Sequence, residues 1–144
     1  MDISKDTSVV TEVLQNDFVT ILLSGSNILI IRWKRQIDFE ERKQIFLWCL
    51  KYAVENDVKN WLIDDEQIFI ITSQEREWVE NSWPPLAADA GIKKIAVYLP
   101  DEFSSTQLTL TDFTERAQSN YELLGVTKHM VFTDYRTALT WLKS

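Results

Sequence analysis

Hydrophobic and polar residues alternate with a period of about two along the N-terminal part of the chain. Apolar, largely β-branched runs at positions 9–14, 18–23 and 28–34 are separated by short polar turns. Strands joined by such tight turns pair as antiparallel neighbours, so we predict a meander of three strands. In its last strand Leu29, Ile31 and Trp33 share one face, which we expect to be fully buried.

The period changes to about 3.6 after residue 36, and helical segments then alternate with short apolar strands. Two helix starts have the spacing of a capping box, Asp38 with Glu41 and Thr72 with Glu75. We expect the strands near positions 61–65, 94–99 and 128–132. Strands that alternate with helices pair in parallel through right-handed crossovers. The pattern therefore predicts a single α/β domain over residues 1–144, with a mixed sheet of about five or six strands and about four helices.

A tryptophan-rich segment with two consecutive prolines lies within the predicted second helix. Pro84 and Pro85 lack backbone N–H groups, so we expect a kink or a break there. Trp78 and Trp83 are about 500° apart around an α-helix, which leaves their side chains about 140° from each other. One hypothesis is an apolar slot able to take an acyl chain or a partner's hydrophobic side chain, formed by Phe69, Trp78, Trp83, Pro84 and Phe103. The alternative is that the tryptophans simply pack the core.

The composition excludes several kinds of site. One cysteine and one histidine are too few for a Cys/His zinc site, and three glycines are too few for a Gly-rich phosphate loop. The formal net charge of −7 has the wrong sign for a protein that follows a phosphate backbone. No nucleic-acid partner, no cofactor and no zinc site of this kind are therefore expected. The N-terminus has no secretory signal pattern and the apolar runs are too short to span a bilayer, so we expect a cytoplasmic location.

Acidic residues follow the predicted parallel strands, at the sheet edge where ligands of such sheets usually bind. They are Asp64, Asp65 and Glu66, then Asp101 and Glu102, then Asp134. Carboxylates at this edge repel anions. They could bind Mg²⁺ or Ca²⁺, dock a basic partner, or form a solvated edge in which acids complement helix dipoles. The sequence leaves these three alternatives open.

Several short motifs occur in the predicted order of elements. They are Ile31-Arg32-Trp33-Lys34, Trp61-Leu62-Ile63-Asp64-Asp65, Glu77-Trp78 through Trp83-Pro84 to Ala90-Gly91, and Lys94-Ile95-Ala96. With that order they resemble the bacterial SpoIIAA-like proteins over almost the whole chain. That family is related in fold to STAS domains, the anti-sigma-factor antagonists, and to the lipid-carrying CRAL-TRIO or Sec14-like domains. The resemblance implies a STAS-like fold and a small non-enzymatic domain that binds a partner protein or a lipophilic ligand.

The turn after the central strand departs from the signalling STAS domains. Those domains carry a phosphorylatable serine in an Asp-x-Ser-Gly-like turn, whereas this chain reads Asp-Asp-Glu-Gln-Ile at positions 64–68. Ser73 lies eight residues beyond Asp65 and does not match that motif. A permanently acidic turn could at most imitate the phosphorylated form.

We expect binding rather than catalysis, because no nucleophile or base motif surrounds His129 or Cys49. The first hypothesis is a regulatory protein-interaction module. Its predicted contact surface comprises Asp64, Asp65, Glu66, Gln67 and Ser73. The alternative is a carrier or sensor of a small lipophilic ligand held in the apolar slot. The sequence leaves open whether the chain forms a homodimer.

Overall fold

Six strands form one mixed sheet in the computed structural model, which describes residues 9–100 and 118–144. The strands follow one another across the sheet in chain order. They are β1 (Val10–Gln15), β2 (Val19–Ser24), β3 (Ile28–Trp33), β4 (Asn60–Asp64), β5 (Lys94–Tyr98) and β6 (Lys128–Phe132). The first three pair antiparallel, whereas β3 to β6 pair in parallel. The predicted meander and the α/β class with a mixed sheet are confirmed.

Helical segments connect and follow the strands, and two of them begin at predicted caps. They are α1 (Phe39–Asn56), α2 (Ser73–Glu77), a π-helical turn (Trp78–Ser82), α3 (Trp83–Asp89), residues 118–124 (α4) and α5 (Tyr135–Lys143). Both predicted capping boxes form, at Asp38 and at Thr72. Gly125 ends α4 with a φ of 72°, a left-handed conformation that favours glycine.

Helices cover both faces of the sheet. The larger core lies between one face and the helices α1, α3 and α4, and includes Leu29, Ile31 and Trp33 of β3. The smaller core lies between the other face and α5, and includes Ile28 and Ile30. The face of β3 predicted to be fully buried is indeed buried, and most of its other face is buried as well. The turn after β4 therefore projects from the middle of a sheet that is covered on both sides.

Candidate interaction site at the end of β4

The turn after β4 directs its first two carboxylates into the protein. Asp64 and Asp65 are only 2% and 6% exposed. The Nε of Arg32 lies 3.6 Å from the Oδ2 of Asp64, whose Oδ1 accepts the backbone N–H of Glu66 at 3.1 Å. The indole N–H of Trp33 donates to the Oδ1 of Asp65 at 2.9 Å. Asp64 and Asp65 are therefore too buried in this conformation to contact a partner. The sequence, in contrast, predicts both as partner-binding residues.

Burial dominates the protonation of Asp65. It raises the pKa of this carboxyl from 3.8 to about 6, because an ionised group loses its hydration in the interior. The charge of Arg42 and the hydrogen bond from Trp33 lower the pKa, whereas the charges of Asp64 and Glu75 raise it. Asp65 is thus an internal carboxyl group that titrates close to neutral pH.

A buried ion pair joins α1 to α2. The Nε of Arg42 donates to the Oε2 of Glu75 at 2.9 Å, and both side chains are almost fully buried. The Arg42 guanidinium also lies over the rings of Trp33 and Phe46, at 5.6 and 5.8 Å from their centroids. The second oxygen of Glu75 accepts the backbone N–H and the hydroxyl of Thr72, both at 3.2 Å. The start of α2 is therefore held to α1 through one carboxylate.

Gln36 holds the main chain of the segment between β4 and α2. Its Oε1 accepts the backbone N–H groups of Phe69 and Ile70 at 2.8 and 3.1 Å. Its Nε2 donates to the carbonyl of Ile70 at 2.9 Å. Ile68 is buried beside them, but the side chains of Phe69 and Ile70 are 39% and 66% exposed. The Gln36 side chain thus fixes the backbone of Phe69 and Ile70, while the apolar side chains of these two residues are exposed to solvent.

These observations redefine the predicted contact surface. Gln67 and Ser73 are exposed and Glu66 is half-buried. Together with the two apolar side chains they form what we call the loop surface, which comprises Glu66, Gln67, Phe69, Ile70 and Ser73. The loop surface keeps three of the five predicted partner-binding residues and adds an apolar centre to them.

Asp134, the acidic residue that follows β6, caps the helix α5. The Oδ2 of Asp134 accepts the backbone N–H and the hydroxyl of Thr137 at 2.8 and 2.7 Å, and these bonds lower the pKa of Asp134. Asp101 and Glu102 lie outside the described residues. Within residues 9–100 and 118–144, no group of three or more His, Cys, Asp or Glu side chains is placed to hold a metal ion.

A π-helical turn brings Trp78 and Trp83 together. The backbone N–H of Trp83 donates to the carbonyl of Trp78, five residues earlier. The two indole rings stack with 5.9 Å between their centroids and 29° between their planes. The predicted separation of about 140° is wrong, because the angle per residue of an α-helix does not apply across a π-helical turn.

The prolines account for the position of this turn. In a continuous α-helix the backbone N–H of residue 84 would donate to the carbonyl of Glu80, but Pro84 has no N–H. The carbonyl of Glu80 instead accepts a hydrogen bond from the side-chain amide of Asn120 in α4. The kink or break expected at the prolines is thus seen only as a π turn just before them, between α2 and α3, while the helical backbone continues from Ser73 to Asp89.

Aromatic rings occupy the region of the predicted apolar slot. Trp83 is 1% exposed, and its ring centroid lies 4.9 Å from that of Phe46 and 5.4 Å from that of Trp61. Trp78 is half-buried, with its ring 6.0 Å from Phe46. Core packing therefore accounts for Trp61 and Trp83, and partly for Trp78.

The other predicted slot residues have different environments. Phe69 belongs to the loop surface, whereas Pro84 is buried in the first turn of α3. Phe103 lies outside the described residues. The structure thus brings Trp78, Trp83 and Pro84 into one helical region, while Phe69 lies on the exposed loop.

Two residues of this site, Gln36 and Arg42, are not among the functional residues predicted from the sequence. Arg42 precedes Ile45 and Phe46 by three and four positions, so it falls on the apolar stripe of α1. A charged residue at helical spacing from such apolar residues is a usable signal for an internal ion pair. Gln36 lies between two elements, where no local pattern distinguishes it.

The two residues weighed for catalysis are buried. Burial raises the pKa of the Cys49 thiol far above its ordinary range. Burial also lowers the pKa of His129 from 6.5 to about 4. At neutral pH the thiol and the imidazole are therefore both uncharged.

No protein-family model matches the chain, and no curated protein or solved structure matches it either. The resemblance to SpoIIAA-like proteins accordingly stays a prediction. Among the described helices, none combines the length and the apolar character needed to cross a membrane.

Proposed function

We propose that the chain is a non-enzymatic, SpoIIAA-like regulatory domain that binds a partner protein through the loop surface. The observation that carries this proposal is the arrangement around Gln36, which fixes the backbone while Phe69 and Ile70 remain exposed. A backbone ordered in advance reduces the entropic cost of association. The resemblance adds support, because STAS domains carry their regulatory serine in the corresponding turn.

The groups beneath the loop also favour a rigid contact surface. Asp65 is held by Trp33 at one end of the loop, and Glu75 is held by Arg42 at the other. Ile68 is 2% exposed and anchors the middle in the larger core. An apolar centre with a polar margin on such a support is the usual anatomy of a protein-binding site.

The proposal is tested by capture of partners from a lysate of the source organism, with the full chain as bait. Ile70→Gln removes the most exposed apolar side chain of the loop surface. Val54→Gln is the matched control, because Val54 is 60% exposed on α1. We expect one stoichiometric protein with the wild type and with Val54→Gln, and at least about a tenfold loss with Ile70→Gln, equivalent to about 1.4 kcal/mol. Equal recovery with Ile70→Gln, or no specific protein with the wild type, would contradict the proposal.

A second candidate function is carriage of a small lipophilic ligand. The aromatic cluster leaves a cavity of only about 20 Å³ beside Trp83, whereas ligand pockets have volumes of about 300–1,000 Å³. A wider groove of about 460 Å³ lies between α4, β6 and α5, and its lining includes Tyr121, Met130 and Trp141. Mass spectrometry of organic extracts of the purified protein separates the two functions. A reproducible bound lipid would favour the carrier.

A further inference from the structure

The cavity of about 20 Å³ next to Trp83 has a polar side. Apolar side chains of β4, β5 and the π turn line part of it. Its polar side is formed by Arg42, Asp65, Trp83, Tyr121 and His129. These residues come from α1, the turn after β4, α3, α4 and β6, so five parts of the fold contribute to the polar side.

Three polar atoms of the lining residues have no hydrogen-bond partner among the described residues. They are the Nη2 of Arg42, the Nε1 of Trp83 and the Nδ1 of His129. The three residues are 2%, 1% and 7% exposed. The Trp83 indole also lies beside the Tyr121 hydroxyl and opposes the rise in its pKa, but the contact does not have the geometry of a full hydrogen bond. Buried polar atoms in folded proteins almost always have a partner, either from the protein or from an ordered water molecule. Three such atoms around one cavity therefore indicate that something polar occupies it.

The chemistry of these atoms defines the occupant. Arg42 and Trp83 offer N–H donors, so the occupant must accept hydrogen bonds. A cation is disfavoured by the Arg42 guanidinium, and an anion by the carboxylates of Asp65 and Glu75. An apolar occupant would leave the two donors unpaired. A neutral oxygen atom meets all of these requirements.

We propose that this cavity binds a single water molecule. The volume of about 20 Å³ exceeds the roughly 10–15 Å³ that one water needs, and two to four polar partners are typical for such a water. The water accepts from the Nη2 of Arg42 and the Nε1 of Trp83. His129 is neutral, so its Nδ1 is either a donor or an acceptor, and a water molecule can pair with it in both cases.

Tyr121 and His129 also connect this site to the surface. Their rings stack with 4.9 Å between centroids and 13° between planes. Both residues line the cavity and also the wider groove between α4, β6 and α5. The ring pair therefore lies between the cavity and the groove.

The test is a water–protein nuclear Overhauser measurement in the rotating frame on the ¹⁵N-labelled full chain. We expect a direct cross-peak between water and the indole proton of Trp83. Trp61 is the matched control, because its indole N–H is also buried without a partner among the described residues but Trp61 does not line the cavity. Trp83→Phe and Trp61→Phe variants assign the two signals. A high-resolution crystal structure should show one water in the cavity.

One further variant separates water from a neighbouring hydroxyl. The Tyr121 hydroxyl lies near the Trp83 indole and could relay magnetisation from solvent. In Tyr121→Phe the Trp83 cross-peak should persist if it comes from the bound water. Absence of the cross-peak at Trp83, equal intensity at Trp61, or its loss in Tyr121→Phe would each overturn the proposal. An empty cavity in the crystal, or an occupant other than water, would overturn it as well.

Discussion

The indole ring of Trp83 stacks on that of Trp78 with 5.9 Å between centroids, because a single π-helical turn separates the two residues. The stack continues inward, since Trp83 also contacts Phe46 and Trp61. Aromatic pairs of this kind contribute about 0.5–1.5 kcal/mol beyond the area they bury. The interruption of the helix thus serves the packing of the larger core.

Truncation of these rings should destabilise the protein in proportion to their burial. Trp83→Ala should cost about 3–5 kcal/mol, as expected for a fully buried aromatic residue. Trp78→Ala should cost about 2 kcal/mol, because Trp78 is only half-buried. Urea unfolding measures both free energies. Leu123, which is 84% exposed on α4, is the control, and its change to alanine should cost less than about 1 kcal/mol. A cost at Trp78 no larger than that control would show that its ring is not packed.

The hydrogen bond from Asn120 to the Glu80 carbonyl should stabilise the protein more when residue 84 is proline. Asn120→Ala in the wild type leaves that carbonyl without its partner, at a cost of about 1 kcal/mol. In a Pro84→Ala background the new backbone N–H can donate to the same carbonyl, so the loss of Asn120 should cost less. A double-mutant cycle measured by urea unfolding gives the coupling, which we expect to be about 0.5–1 kcal/mol. Additive effects would mean that the missing N–H of Pro84 is not the reason why the Glu80 carbonyl needs Asn120 as a donor.

The sheet and the helix starts could be predicted because their signals are local. Alternation with a period of two marks β1 to β3, and the capping boxes at Asp38 and Thr72 each lie within four consecutive residues. An irregularity in the helix near Pro84 was predictable for the same reason, since the lack of an N–H is a property of one residue. What replaces the lost bond was not predictable, because Asn120 lies 40 positions away from Glu80.

The burial of Asp64 and Asp65 depends on residues from other elements. A carboxylate is buried only where hydrogen-bond donors or opposite charges are positioned to pair with it. The partners here are Trp33 and Arg32 of β3, with Arg42 of α1 acting on Asp65 through its charge. No pattern around residues 64–66 contains that information. The burial of Asp64 and Asp65 could therefore not be predicted from the sequence alone.

Breaking the pair between Arg42 and Glu75 should be costly. Arg42→Met leaves the Glu75 carboxylate buried without its cation and should cost about 3–5 kcal/mol. The double variant Arg42→Met/Glu75→Gln should recover part of that loss, because no uncompensated charge remains. Hydrogen exchange of the backbone amides at 66–72 should accelerate in Arg42→Met, since the support of the loop weakens. Arg35→Met is the control, because the ion pair of Arg35 with Glu41 is exposed to solvent and pairs of this kind contribute little to stability. Equal costs for Arg42→Met and Arg35→Met would contradict the assigned role of the buried pair.

Asp65 should make the protein less stable as the pH rises toward neutrality. Its pKa is raised from 3.8 to about 6 on folding, so the folded protein binds this proton more tightly than the unfolded chain. The resulting stabilisation is complete below pH 3.8 and is lost as the pH passes about 6. A difference of about two pH units corresponds to about 3 kcal/mol.

Asp65→Asn should remove this dependence, because an amide does not ionise and its oxygen can still accept the indole N–H of Trp33. Urea unfolding of both proteins from pH 3 to pH 8 isolates the contribution of Asp65, since the other titrating groups are common to both. We expect the variant to gain about 3 kcal/mol relative to the wild type between pH 3 and pH 7. Asp134→Asn is the control with the opposite sign, because the pKa of Asp134 is lowered by Thr137. That variant should lose stability relative to the wild type as the pH rises. If the free energies of the wild type and Asp65→Asn ran parallel across this range, Asp65 would have to be ionised in the folded protein as readily as in the unfolded chain.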